Sequence, residues 1–267
     1  TLTNKKIVAD DTLSADVTYN LFEADLSFKQ NFLSEKNFIE ARVIYNIYSA
    51  AIDGFYYNEA QYSSTDDTYL KGWIFRLTNS ISDITPTVDS DVNPIGREVK
   101  IQYDYEMNQF NKDGNYEIKD GIVVPQYDDF DFHRLELNWK EYIDLGKGHT
   151  FNARVRAATI FGPQQPDFFD FYLGGLMGMK SYPFYSISGN ELAWLNLTYR
   201  FPLFRNIDAR VGHIYIDKIY LSVFGDLGNA WNGKIPGIDN FKKGAGAELR
   251  VKMNSFYLFP TSFFASA

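Results

Sequence analysis

Residues 97–107, REVKIQYDYEM, place Val99, Ile101, Tyr103, Tyr105 and Met107 on one side of an extended chain and Glu98, Lys100, Gln102, Asp104 and Glu106 on the other. Side chains alternate across a strand with a period of two, so the segment predicts a strand with one apolar and one strongly polar face. The pattern returns with Leu135, Leu137 and Trp139 against Arg134, Glu136, Asn138 and Lys140, and with Phe151, Ala153, Val155 and Ala157 against Asn152, Arg154 and Arg156. Further on, Leu195, Leu197, Tyr199 and Phe201 oppose Asn196, Thr198 and Arg200, while Ala247, Leu249, Val251 and Met253 oppose Glu248, Arg250 and Lys252. Segments near 14–29, 38–51, 55–63 and 69–83 keep the same rhythm less cleanly. No segment sustains a 3.6-residue period, so the chain reads as all-β, with about twelve strands.

Many of these strands exceed the five or six residues usual in a globular sheet. A tilted strand that crosses a bilayer needs roughly nine to eleven residues. The connections alternate as well: "IDGF" at 52–55, "LGKG" at 145–148 and the Phe259-Pro260 break are tight, whereas 111–128, 162–189 and 232–243 are long. Short turns at one end and long loops at the other are the habit of an outer-membrane barrel. One stretch does not conform: "TPTVDSDVNPI", 85–95, is long yet falls on the short-turn side.

A soluble β-sandwich or lipocalin-like barrel would alternate in the same way. Composition argues for the membrane instead, since the chain carries 19 Tyr and 23 Phe, enough for aromatic girdles at two interfaces. There is no run of 18 apolar residues for a transmembrane helix, but barrel strands expose only alternate residues to lipid and escape that criterion. Arg154, Arg156, Arg200, Arg250 and Lys252 share the polar faces with Glu136 and Glu248. A charge facing mid-membrane lipid costs a few kcal/mol, so the polar faces must line a lumen and the apolar faces must point outward. The net charge of -8 lacks the basic footprint that nucleic acid requires, and the absence of cysteine removes disulfide and thiol chemistry. With Thr1 at the start and an apolar run, FPTSFFASA, at the end, the sequence reads as part of a longer chain.

The segment FYLGGLMGMKSYPFYSISGN, 171–190, is glycine-punctuated and aromatic, with Lys180 as its one cation. It is followed by GNELAWLNLTYRFPL (189–203), LSVFGDLGNAW (221–231) and GAGAELRVKM (244–253). Together these resemble, in order, the C-terminal barrel of the bacterial surface antigen superfamily, the BamA/TamA-like outer-membrane assembly and translocation proteins. The match is specific from about residue 149 onward, and consistent only in strand pattern before it. The resemblance implies a sixteen-stranded antiparallel transmembrane β-barrel, here partial over residues 1–267 and incomplete at both ends, in the outer membrane of a Gram-negative-type bacterium. It also implies that residues 162–189 are an extracellular loop folded into the barrel, bearing a Val-Arg-Gly-Phe/Tyr motif after a glycine pair. Gly174 and Gly175 are that pair, and Met179, Lys180, Ser181 and Tyr182 stand at the motif.

The departures are chemically coherent. Lys180 replaces the family arginine, Ser181 its glycine, and Thr198 the strand glutamate that helps hold the arginine, while Asp226 keeps the family acid. A guanidinium fork engages two carboxylates, whereas an ammonium suits one. The expected lumenal pair is therefore Lys180 with Asp226, with Glu248 as second candidate partner, and Tyr182 and Phe184 packed on the wall.

Catalytic signals are weak. His133, His149 and His213 have no metal-ligand spacing, and a Ser222–His213 pair has nothing to orient it. The carboxylates of 87–93 and 127–133 could hold Ca²⁺ but read more simply as solvated loop ends, and no cofactor is implied. Three functions follow: insertion or translocation of proteins at the outer membrane; an anchor or export barrel for a fused hydrolase or β-propeller passenger; and a diffusion pore, disfavoured by a loop that fills the lumen. Outer-membrane lipid and lipopolysaccharide, upstream periplasmic domains and accessory lipoproteins are the partners the family resemblance implies.

Overall fold

The computed structural model describes residues 2–9, 13–53, 56–57, 60–61, 68–119, 122–175, 178–256 and 258–267. Eleven strands succeed one another in one antiparallel sheet. They are β1 Leu2–Ala9, β2 Leu13–Phe32, β3 Ser34–Asp53, β4 Thr68–Ile84, β5 Gly96–Phe110, β6 Asp128–Gly146, β7 His149–Phe161, β8 Glu191–Phe204, β9 Ile214–Trp231, β10 Lys242–Ser255 and β11 Phe259–Ser266. Neighbours in sequence are neighbours in the sheet, and the short segment Ala209–Val211 pairs with β9 as a twelfth strand. Among the described residues β1 and β11 are the two edges and the sheet is not closed.

The strands expected near 14–29, 38–51 and 69–83 are β2, β3 and β4, each longer than its expected segment. Of the strand expected at 55–63, the described residues do not join the wall. Its described residues, Tyr56–Tyr57 and Ala60–Gln61, form a two-residue ladder of their own, and 55, 58, 59, 62 and 63 lie outside the described residues. The turn expected at 52–55 is not tight either: β3 runs to Asp53 and β4 begins at Thr68, with Gly54 and Phe55 outside the described residues. Tight connections fall at Leu33, at Lys147–Gly148 and between Ser255 and Phe259. The last of these precedes the Phe259-Pro260 break, and Pro260 sits in edge strand β11, where its missing N–H is tolerated.

Alternation assigns the faces as expected. Leu135, Trp139, Leu197, Leu77, Ile101 and Val223 are exposed on the outer side, while Asn152, Arg200, Ser222, Asp226, Glu248 and Lys252 are buried on the inner side. Aromatic groups gather near both ends of the outer face. At the long-loop end Tyr45 packs on Trp73 at 4.7 Å, and His133 stacks between Tyr105 and Phe161; at the short-turn end His149 stacks on Phe201. His133 Nδ1 is 2.7 Å from Tyr103 Oη and His149 Nδ1 is 2.7 Å from Tyr199 Oη, so both imidazoles are girdle members. From His149 to Phe161 is twelve residue steps along β7, about 40 Å, which a strand tilt near 40° reduces to about 30 Å of membrane normal.

Candidate functional site: a loop seated in the lumen

The connection between β7 and β8 holds its own fold. A short 3₁₀ turn, Asp167–Phe169, leads to a two-residue ladder between Phe171–Tyr172 and Ser188–Gly189, continued by Leu173 N–H donating to Ile187 O at 3.0 Å. The tip then crosses itself: Met179 N–H donates to Leu173 O at 2.8 Å, and Gly175 N–H donates to Tyr182 O at 2.9 Å. Glycine is required at the crossing. A Cβ on Gly174 would lie 2.1 Å from Pro183 O, and one on Gly178 would lie 1.9 Å from Leu173 O, both backbone atoms that cannot give way. Gly175 has φ of +94° and is roofed by the Phe184 ring.

Its buried side is apolar and faces the wall. Phe169, Phe171, Leu173, Met179 and Ile187 pack with Leu70, Phe110, Phe132, Ala158, Ile160, Leu192 and Ala230, the inward residues at the long-loop ends of β4 to β9. Each such side chain contributes about 1.5–3 kcal/mol on burial, so apolar packing is the main force seating the loop. Close approach depends on the wall as well, because a Cβ on Gly228 would meet Leu173 and Trp194, and one on Gly244 would meet Ser181. Two wall guanidiniums finish the seat: Arg134 donates to Phe169 O at 2.9 Å and Arg156 to Tyr172 O at 3.2 Å, each also held by a wall carboxylate, Glu106 and Glu136. At the base of the loop, burial pushes the Asp170 carboxyl up, and the neighbouring Asp167 charge adds to the effect.

Lys180 extends past this apolar layer into the charged part of the lumen. Its Nζ lies 2.6 Å from Glu248 Oε2 and 5.1 Å from the centroid of the Phe224 ring. Glu248 on β10 is therefore the partner, and Asp226 is not. Asp226 Oδ1 already accepts from Asn196 Nδ2 at 2.9 Å, directly across from it on β8, and from Trp194 Nε1 at 3.0 Å, two residues along the same strand. Glu248 also accepts from Arg250 at 2.5 Å and from Arg200 at 3.4 Å, so one carboxylate gathers three cations. Thr198 donates to Asn196 Oδ1 at 2.9 Å and lines the same small cavity, about 50 Å³, as Lys180, Asp226 and Glu248. Tyr182 packs against the apolar cluster and donates its hydroxyl to Lys243 O at 3.0 Å. Phe184 does not reach the wall. It is 62% exposed, because its ring is spent on covering Gly175 at the solvent side of the crossing.

The stretch that did not fit the short-turn side, 85–95, has an explanation in space. Its Asp89 is not part of a solvated loop end: it faces the ammonium groups of Lys218 and Lys252 at 2.8 Å each and accepts from the Tyr220 hydroxyl at 2.9 Å. Burial pushes the Asp89 carboxyl up, but the hydrogen bonds from Lys218, Lys252 and Tyr220 outweigh it and hold the group below the usual carboxylate range. In 127–133, Asp128 pairs with Lys112 and Asp129 accepts from Gln109, and no cluster of three possible metal ligands occurs among the described residues. Ser222 accepts from Arg200 Nε inside the lumen, whereas His213 stacks on Phe256 at the strand ends, so the pair has no shared site. Nothing in the local sequence marks Arg134, Arg156, Arg200 or Gly178 as parts of this seat. Only the placement of the loop shows which lumenal cations meet its backbone.

Comparison with known proteins agrees with this architecture. A profile of the Omp85 superfamily domain matches residues 3–263. Among solved structures, BamA from Haemophilus ducreyi lacking POTRA domains 1-3 superposes with a TM-score of 0.55 at 12% identity, over 99% of this chain and 57% of that one. CdiB from Acinetobacter baumannii gives a TM-score of 0.46 at 11% identity, over 94% of this chain and 39% of that one. The chain thus spans little more than half the length of the BamA structure. No curated protein matches it. A family match over nearly the whole length, on a meander of long strands with apolar outer faces, makes this an outer-membrane β-barrel: the chain belongs to the Omp85 superfamily.

Proposed function

We propose that this chain is the barrel of a protein that inserts other proteins into the outer membrane or moves them across it. The observation that carries the reading is the lumenal seat of the 162–189 loop, with Met179 and Leu173 buried in an apolar cluster and Lys180 paired to Glu248. A barrel whose lumen holds a fixed loop is poorly suited to free diffusion of solutes, which disfavours a pore. The matched BamA is a form lacking POTRA domains 1-3, so its whole chain includes such domains, which supports periplasmic domains upstream in this protein too, with accessory lipoproteins as further partners. Lipid and lipopolysaccharide contact the outer apolar faces. The family match supports a non-enzymatic reading.

The test uses the full-length protein in proteoliposomes with an unfolded outer-membrane barrel as substrate. Insertion is read as the rate at which the heat-modifiable folded form appears. Several-fold acceleration over empty liposomes supports insertion, and acceleration lost on Lys180→Ala ties it to the loop. No acceleration, together with appearance of a fused passenger outside the vesicle, would replace the reading with the export barrel. That second reading is favoured by one observation: lysine stands where the family has arginine, so the loop is held through a single carboxylate.

A further inference from the structure

The lumen is entered from both ends. The connection 85–95 joins β4 to β5, where hairpin loops of two to five residues are usual. It closes with Thr85 N–H donating to Ile95 O at 2.9 Å, and then folds inward, so that Val92 and Asn93 are buried at 0% and 4% exposure. Its partners are far along the sheet. Asp89 is bound by Lys218 and Tyr220 of β9 and Lys252 of β10, Lys252 also donates to Val88 O, and Asn93 accepts from Thr150 Oγ1 of β7 at 2.6 Å while donating to Gly148 O at 3.1 Å. Five strand spacings of about 4.8 Å separate β5 from β10 along the wall, so the turn reaches these groups as a chord across the lumen.

Arg200 connects the two intrusions. Its Nη1 donates to Val92 O of the turn at 2.8 Å, its Nη2 lies 3.4 Å from Glu248 Oε1, and its Nε donates to Ser222 at 2.9 Å. Glu248 in turn holds Lys180 of the loop through its other oxygen. We propose that the 85–95 turn is a second plug, closing the short-turn mouth of the barrel, and that it is coupled to the 162–189 loop through Arg200 and Glu248, so that release of either intrusion loosens the other. A continuous network of buried hydrogen bonds and ion pairs, as here from Val92 through Arg200 and Glu248 to Lys180, is one physical route by which two elements are coupled. Coupling of this kind typically amounts to a 5- to 150-fold change in the second equilibrium. The inference holds whether the protein inserts, translocates or exports, since it concerns the barrel alone.

Thiol labelling tests it, because this stretch has no cysteine of its own. Val92→Cys reports on the turn and Ile187→Cys on the loop, each in the full-length detergent-solubilised protein, with heat-modifiability confirming a folded barrel. Both positions are expected to label slowly. Asp89→Asn should raise labelling at position 92 at least 5-fold and also raise it at 187, and Lys180→Ala should likewise raise it at both positions. Lys218→Gln, which leaves Lys252 and Tyr220 on Asp89, serves as the milder turn variant where Asp89→Asn does not fold. Arg200→Lys should leave both plugs seated but make their release independent. Fast labelling of Val92→Cys in the otherwise unaltered protein would overturn the plug. Lys180→Ala or Lys218→Gln each raising labelling only at its own intrusion would overturn the coupling.

Discussion

Lys180 Nζ and Glu248 Oε2 lie 2.6 Å apart, joining the tip of an inward loop to the middle of β10. The glutamate is 5% exposed and the lysine 27%, so the two do not contribute symmetrically. Lys180 can retreat toward water, whereas Glu248 must keep its cations company. Replacing one partner of a buried ion pair leaves the other uncompensated, at about 3–5 kcal/mol. Glu248→Gln leaves Lys180, Arg200 and Arg250 without their shared carboxylate and should approach that loss. Lys180→Ala leaves Glu248 with two guanidiniums and should cost less. Thermal denaturation of the two variants in detergent, with the double mutant completing a cycle, checks this; additive effects would remove the pair as a stabilising contact.

The same asymmetry of forces limits what Lys180→Ala can do to the loop. Five apolar side chains, each contributing about 1.5–3 kcal/mol, still hold it after the charge is gone. Limited proteolysis should therefore cut the tip, near 180–186, while the base around Phe169 and Phe171 stays protected. Cleavage at the base in this variant would mean that the ion pair, not the apolar seat, carries the loop.

Gly174→Ala should be more damaging than Lys180→Ala. Its Cβ would sit 2.1 Å from Pro183 O, a contact no rotamer can relieve, so the crossing of the tip has to open. Loss of protection at Met179 and Ile187 is expected, with the barrel still heat-modifiable. An unchanged proteolytic pattern would contradict the crossing geometry.

What was legible in the sequence follows the physics of each part. Period-two alternation is imposed by lipid on one side and water on the other, so strands such as 97–107 and 247–253 read directly. The pattern weakens where that contrast fails. At the long-loop ends Phe110, Phe130 and Phe132 are apolar on the inward side because they face the loop and not water, and β1 carries no pattern that marks it as a strand. The glycine pair and Lys180 were legible by resemblance, yet the partner was not. Choosing between Asp226 and Glu248 depends on Trp194 and Asn196 already satisfying one oxygen of Asp226, a cross-strand relationship that no local motif carries. The turn 85–95 appeared only as a misfit of length; its destination depends on charges more than a hundred residues away, Lys218 and Lys252.

Orientation of the faces is open to direct measurement. Spin labels at Leu197 and Trp139 should report lipid, and labels at Glu136, Arg154 and Arg250 should report water. Leu197→Arg should cost about 2–4 kcal/mol if it lies near mid-membrane, falling toward zero near an interface. Lipid contact at Glu136 would mean that the strand register is inverted.

Asp89 makes the turn acid-sensitive. Its carboxyl is held below its ordinary value of 3.8, so the contribution is present above that value and is lost as pH falls through the lowered one. The charged groups around it are Lys218 and Lys252, beside the neutral Tyr220 hydroxyl, with Asp217 3.9 Å from Lys218 and Asp91 3.8 Å from Lys252. Labelling of Val92→Cys after brief acid exposure should thus be flat from pH 8 to pH 5 and should rise below about pH 4. Asp89→Asn should abolish that dependence while raising labelling throughout. A rise already at pH 6 would point to a different group.

Asp226→Asn separates the two candidate partners of the lysine. The Asp226 Oδ1 position accepts from Trp194 and Asn196, and an asparagine carbonyl can accept the same two hydrogen bonds. Its other oxygen is buried without a partner among the described residues, so the negative charge there is not what fixes the loop. Replacement by an amide should therefore change loop protection by less than about 1 kcal/mol, against about 3–5 kcal/mol for Glu248→Gln. The comparison is made by proteolysis of the 174–189 segment across a temperature series, which reads the opening free energy of the loop in each variant. Equal losses in the two variants would return Asp226 to the role of partner, and a larger loss in Asp226→Asn would place Lys180 on β9 and not on β10.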